Sequence, residues 1–238
     1  MAIETDTRTQ PRTPLTRDRV LAAAVGVADS GGLESLTMRR LAQELGVEAM
    51  SLYYHVVNKE AVLDGIVEVV MNEIIQAVGE IDLRDDDWHG AMRRQILTAR
   101  QVLLRHPWAP DVIESRTTMN PAIVQYYESL LGILRRGGFS YDLVHHAMHA
   151  LGSRSLGFTQ ELFEPDDVGG GDDEAALALL EQMADRVPYL VGMLSEITHD
   201  DPGSTLGWCD DQTEFEFGLD LILDGLERLR QADSPTRT

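Results

Sequence analysis

Residues 37–59 read TMRRLAQELGVEAMSLYYHVVNK, and the reading of this stretch decides the fold. Thr37 offers a hydroxyl to the orphan amides of a helix start, and apolar Met38, Leu41, Ala42 and Leu45 then recur at helical spacing. The pattern stops at Gly46, the residue type that most readily closes a helix in the left-handed conformation. From Glu48 to His55 a second short pattern follows, with Leu52 and Val56 turned inward and Ala49, Ser51, Tyr53 and Tyr54 outward. Two short helices about a glycine corner predict a helix-turn-helix, whose second helix suits the major groove of duplex DNA.

The polar groups fit that expectation. Arg39 and Arg40 stand in the first turn of one helix, and Tyr53, His55 and Lys59 flank the end of the next. Such donors position a duplex through its phosphates, while base edges carry the sequence information. Ala49 and Met50 have no polar group to offer a base and suit thymine methyls, whereas Ser51 can donate or accept locally.

The wording of the stretch resembles the TetR family of bacterial transcriptional repressors. The resemblance rests on Leu36-Thr37-Met38-Arg39-Arg40-Leu41-Ala42, Leu45-Gly46-Val47, Ser51-Leu52-Tyr53-Tyr54-His55-Val56 and Asn58-Lys59-Glu60, preceded by a helix ending at Gly31-Gly32. A further likeness to the tetracycline-repressor branch lies in Arg105-His106-Pro107-Trp108, Gly137-Gly138-Phe139 and Phe215-Glu216-Phe217-Gly218-Leu219-Asp220. The resemblance implies an all-α chain, with an N-terminal three-helix DNA-binding domain and a larger helical ligand-binding and dimerisation domain. It implies a homodimeric, sequence-specific repressor released from a palindromic operator by a small-molecule effector of unknown identity, with no enzymatic activity and no cofactor. The DNA-contacting residues carried over by position are Thr37, Arg39, Tyr53, His55 and Lys59. Arg40, Ala49, Met50, Ser51 and Tyr54 join them on their own chemistry. Val57 stands where the tetracycline-repressor branch often offers a basic phosphate contact.

Working outward, residues 1–15 are polar, carry Pro11 and Pro14, and read as a flexible arm. The DNA-binding domain is expected over 16–60, opened by Thr16 as a cap and braced by Val20, Ala23, Ala24, Val27 and Ala28. The ligand-binding and dimerisation domain is expected over 61–231, with a tail at 232–238. Asn58 caps a long helix with a stripe of Ala61, Val62, Leu63, Ile66, Val69, Val70 and Ile74. Asp85-Asp86-Asp87 reads as a helix start, followed by Met92, Ile96, Ala99, Leu103 and Leu104 at helical spacing. Helical patterns return over 123–136, 141–162, 175–197 and 213–229, the last with Phe217, Leu221, Ile222 and Leu226 on one side. The acidic, glycine-rich run 164–174 lacks the Lys of a phosphate cradle and reads as a surface loop.

Composition narrows the function classes. The 238-residue chain has a formal net charge of −20. Residues 1–60 hold seven Lys and Arg against eight Asp and Glu, so nearly all of that charge falls on the remainder. This excludes indiscriminate coating of nucleic acid and leaves docking by shape. Cys209 is the only cysteine, so no intrachain disulfide forms, and Asp210 and Asp211 beside it disfavour a reactive thiolate. The start lacks a secretory pattern and no apolar run is long enough to span a bilayer, which makes the cytoplasm the expected compartment and leaves no membrane partner.

Aromatic and polar residues in the second domain form the candidate effector pocket: Trp108, Tyr126, Tyr127, His145, His146, His149 and Phe158. Two other classes compete. His145 and His149 lie one helical turn apart, and with His146, Glu161 or Asp85 to Asp87 they supply ligand types for a metal-binding regulator or a metal-dependent helical enzyme. Asp85-Asp86-Asp87 and Asp166-Asp167 invite comparison with magnesium-dependent isoprenoid enzymes, but no substrate signal accompanies them.

Overall fold

The computed structural model describes residues 14–80, 87–116, 120–157, 185–189, 191–192 and 211–233. All its long elements are helices: α1 (Arg17–Ser35), α2 (Met38–Leu45), α3 (Ala49–Leu52), α4 (Lys59–Gly79), α5 (Trp88–Leu103), α6 (Ala109–Ser115), α7 (Pro121–Arg136), α8 (Tyr141–Gly157) and α9 (Asp211–Asp233). None is long and apolar enough to cross a membrane, among the described residues. Cys209, Phe158, Glu161 and the 164–174 run lie outside them, as do the arm to residue 13 and the tail from residue 234.

Caps anticipated from the sequence set three helix starts. Thr16 Oγ1 accepts from the Arg19 amide at 3.2 Å, Thr37 Oγ1 from Arg40 at 3.1 Å, and Asn58 Oδ1 from Ala61 at 2.8 Å. Each satisfies one amide that a helix start leaves unpaired. Asp87 does the same for α5, its carboxylate accepting from the Gly90 amide at 2.8 Å. Inside α1, Gly31 and Gly32 leave helical geometry, so the regular helix breaks where the glycines stand although its last turn continues to Ser35.

The chain divides into two compact units, one of residues 1–82 and 98–128, the other of 83–97 and 129–238. In the first, α1 is packed by Val20, Leu21, Ala24, Val27 and Ala28 against α2 and α4. Gly65 of α4 makes that approach possible, because a Cβ there would stand 2.4 Å from Leu21 Cδ2. At the far end of α4 a polar network closes the unit. The buried His106 ring meets Asp29 Oδ1 of α1 at 2.8 Å through Nδ1 and Glu73 Oε2 of α4 at 3.1 Å through Nε2. Trp108 Nε1 donates to the same Asp29 oxygen at 2.7 Å, and Arg105 pairs with Glu73. Burial pushes the Glu73 carboxyl up, but hydrogen bonds from Arg105 and His106 outweigh it and hold it below its ordinary range.

In the second unit α8 and α9 pack together. The buried face of α9 is Phe215, Leu219, Leu223 and Leu226, while Phe217 and Leu221 are 62% and 55% exposed. The helix thus carries two apolar stripes, and the expected one is half outside. Leu104 is likewise exposed, because α5 ends at Leu103 and the chain turns there. Arg93 of α5 grips α9 through Glu216 at 2.6 Å and Asp220 at 2.7 Å. Trp88 Nε1 donates to Glu227 at 2.8 Å, and Arg230 pairs with that carboxylate at 2.6 Å.

The Arg230 hydrogen bond, opposed by burial and aided by Gln231 and Trp88, holds the Glu227 carboxyl at about 2. A free glutamate titrates near about 4.3, so the folded value is the depressed one. Its contribution to stability is therefore full above about pH 4.3 and is lost as pH falls toward 2. Thermal unfolding followed by circular dichroism across that range should show Glu227→Gln less stable than the parent at neutral pH, with the difference closing in acid.

Candidate nucleic-acid interface

The interface is built on a corner. Gly46 adopts φ 65° and ψ 36°, and its amide donates back into α2, so the chain leaves that helix abruptly. A side chain there would carry the cost of the left-handed region. Val47 then donates to Ala42 O at 3.0 Å, which locks the turn. The second helix is shorter than its sequence pattern: α3 holds only Ala49–Leu52, and Tyr53 to His55 continue as turns closed by His55 and Val56 amides on Leu52 O at 2.8 and 2.9 Å. Four residues cannot sustain a helix alone. Leu52 and Val56, 0% and 3% exposed, hold the element on the core, joined there by Leu41 and Leu21.

With those anchors fixed, the residues expected outward divide, Ala49 and Ser51 being partly covered and Tyr53 and Tyr54 exposed. Thr37, Arg39, Arg40, Met50, Tyr53, Tyr54 and Lys59 are exposed, and Ala49, Ser51 and His55 are half-buried. The Thr37 hydroxyl spends an acceptor lone pair on its cap and keeps its hydrogen to donate. Arg40 lies 3.6 Å from Glu44 on its own helix, a weak exposed pair. Arg39 makes no ion pair among the described residues, which leaves its five donors available. Lys59 opens α4 directly after the Asn58 cap. Beside it Glu60 is drawn away by Arg116 at 2.7 Å, with Asp64 at 3.5 Å from the same guanidinium. The pair with Glu60 is the main reason the Arg116 guanidinium is held more firmly protonated than usual.

Arg116 was not legible as part of this region. It stands 56 residues from Glu60, and no local pattern connects them.

The candidate pocket residues are distributed between the units. Trp108, Tyr126 and Tyr127 belong to the first. Trp108 is buried with its N–H on Asp29, Tyr126 is buried, and Tyr127 is 39% exposed. Burial, with Tyr127 adding to it, pushes the Tyr126 phenol well above its ordinary value, so it stays a neutral hydroxyl. His145, His146 and His149 lie in the second unit, exposed on α8, with the His145 and His149 ring centroids 4.7 Å apart. Among the described residues no group of three or more His, Cys, Asp or Glu side chains is placed to hold a metal ion. Asp87 is already occupied as a cap, and Asp85, Asp86, Asp166 and Asp167 lie outside the described residues.

Comparison with known proteins covers both parts of the chain. Residues 20–66 match the family described as bacterial regulatory proteins, tetR family, and residues 82–230 match the tetracyclin repressor-like, C-terminal domain. The HTH-type transcriptional repressor DrrR1 of Streptomyces coeruleorubidus is 33% identical over 92% of this chain and 80% of its own length. The tetracycline repressor protein class C of Escherichia coli is 30% identical over 91% of this chain and 92% of its own. Apo ActR from Streptomyces coelicolor superposes with a TM-score of 0.71 at 26% identity, covering 93% of this chain and 99% of that one. ActR in complex with actinorhodin gives 0.63 at 25% identity, covering 91% and 96%.

Arg39, with a planar donor fork, and Lys59, a point charge at the start of α4, are expected to differ in what they contact on DNA. Arg39→Ala should relax preference at one base pair, with a discrimination loss of about 1 to 3 kcal/mol. Lys59→Ala should weaken all sequences evenly and reduce the slope of log affinity against log salt by about one. Titrations of selected and random duplexes at several salt concentrations check both, and equal losses with unchanged selectivity would remove Arg39 from base reading.

Proposed function

The chain belongs to the TetR family of bacterial transcriptional regulators, and from that premise we infer a homodimeric repressor that a small molecule releases from a palindromic operator. DNA binding is the family's function, and the carrying observation here is the Gly46 corner. It fixes α3 through Leu52 and Val56 while Arg39, Tyr53, Tyr54 and Lys59 stay outside. A two-fold dimer presents two such corners, which accounts for a symmetric site. The outer stripe of α9, Phe217 with Leu221, supports a second copy, since large apolar side chains left in water gain free energy when covered.

The effector reading draws on the relatives. One is solved with actinorhodin and another is named for tetracycline, so these two compounds are the first probes for this chain. The residues proposed for effector contact are, in the first unit, Trp108, Tyr126 and Tyr127, which supply apolar area, and, separately, in the second, His145, His146 and His149, which supply polar groups; Phe158, also proposed, lies outside the described residues. Binding alone does not release DNA: the effector must favour the arrangement that fits the operator less well.

Selection from random duplexes should recover a palindromic sequence bound more tightly than random DNA. Anisotropy titration of that operator should then show weaker binding in the presence of an effector, screened first with tetracycline and actinorhodin. Random duplex bound as tightly as the best selected sequence would sink the operator assignment. Ligands that occupy the protein and leave operator affinity unchanged would sink the effector assignment alone.

A further inference from the structure

We propose that Arg116 acts in DNA binding from outside the helix-turn-helix, as a positioning residue that holds and neutralises the carboxylate of Glu60. The inference rests on the operator-binding function and adds to it a residue that belongs to no DNA-facing pattern. Arg116 is the C-cap of α6, within the segment that matches the C-terminal family domain. Glu60 lies in the first turn of α4, within the segment that matches the N-terminal one. The two side chains, 56 residues apart in sequence, meet at 2.7 Å.

Helix α6 itself aims the guanidinium. Arg116 Nε donates to Ser115 Oγ at 3.3 Å, and that hydroxyl donates in turn to Val112 O at 2.8 Å. Arg116 Nη1 donates to Glu60 and lies 3.5 Å from Asp64, one turn further along α4. The Arg116 side chain is 18% exposed, so salt screens this pair less than it screens a pair in open water. Among the described residues Arg116 is the only cation that pairs with Glu60. The position of Glu60 makes that pairing matter, because it stands beside Lys59 and two residues after the Asn58 cap. A helix start favours an anion, so a carboxylate left free there competes with a DNA phosphate for the positive end of α4 and for Lys59. A carboxylate held by Arg116 does not.

A charge cycle on the operator recovered by selection tests this. Arg116→Ala frees the Glu60 charge in each half-site. A unit charge about 8 Å from a phosphate in water weakens binding about two- to threefold, so a dimer on two half-sites should lose about fivefold at low salt. The loss should shrink as salt rises, because the repulsion is screened. Random duplex should weaken by the same factor, since a phosphate contact carries no sequence information. Adding Glu60→Gln to Arg116→Ala should restore affinity, and Arg116→Lys, which keeps the charge, should retain most of it. Glu60→Gln alone should bind no more weakly than the parent. A residue that merely braced α4 would lose operator more than random duplex and would not be rescued by Glu60→Gln. Parental affinity in Arg116→Ala, or a loss that Glu60→Gln does not rescue, overturns the proposal and leaves the selected operator standing. Should Arg116→Ala fail to fold, Arg116→Gln replaces it in every arm, and failure of both to fold assigns Arg116 to the frame and overturns the proposal. Failure to recover any preferred sequence overturns the operator reading as well.

Discussion

The first unit depends on one buried ring. His106 sits between Asp29 and Glu73, carboxylates contributed by α1 and α4, and Trp108 adds a donor to Asp29. Each ring nitrogen lies within hydrogen-bonding distance of a carboxylate, Nδ1 at 2.8 Å and Nε2 at 3.1 Å, so the imidazole bridges the two helices. With the Trp108 N–H on Asp29, these contacts tie three chain segments together. Removing the ring would leave Asp29 with Trp108 and Glu73 with Arg105, but nothing joining the two carboxylates.

That constraint reaches the recognition element through packing. α1 and α4 meet closely at Gly65 and Leu21, and α2 lies against α1. The resulting frame supplies the core into which Leu41, Leu52 and Val56 insert. Because α3 is too short to hold its own conformation, its position is that of the frame. A rigid frame suits a DNA-binding corner, since side chains that contact DNA must arrive at fixed places.

Local chemistry was legible in the sequence, and tertiary pairing was not. Thr16, Thr37 and Asn58 announce helix starts because a capping side chain acts within three residues of itself. Gly46 announces the corner because few other residues tolerate its backbone angles. The exposed set from Arg39 to Lys59 followed from those two signals. By contrast, Asp29 and His106 lie 77 residues apart and Glu60 and Arg116 lie 56 apart, and neither member of either pair carries a mark of its partner. The length of α3 was overread because its apolar period continues into turns that preserve it. On α9 the stripe Phe217 and Leu221 and the stripe Phe215, Leu219 and Leu223 have the same spacing, so periodicity alone does not say which one faces inward.

A chain with a formal charge of −20 must still approach a polyanion. Part of the answer lies in how acidic groups of the first unit are occupied. Glu60 is held by Arg116, Glu68 by Arg17 at 2.8 Å, Glu73 by Arg105 and His106, and Glu44 lies near Arg40. The exposed pairs among these add little stability. Their electrostatic effect is different: matching Glu44 and Glu60 locally makes the field close to Arg39 and Lys59 less negative than the net charge implies. Screening then confines the remaining charge, since at physiological salt an exposed charge acts over about 8 Å. Any group that meets phosphate must therefore lie close to it, on a corner whose position the core dictates. A protein so charged has little nonspecific attraction to draw on, which makes accurate docking of the corner the main source of its binding energy.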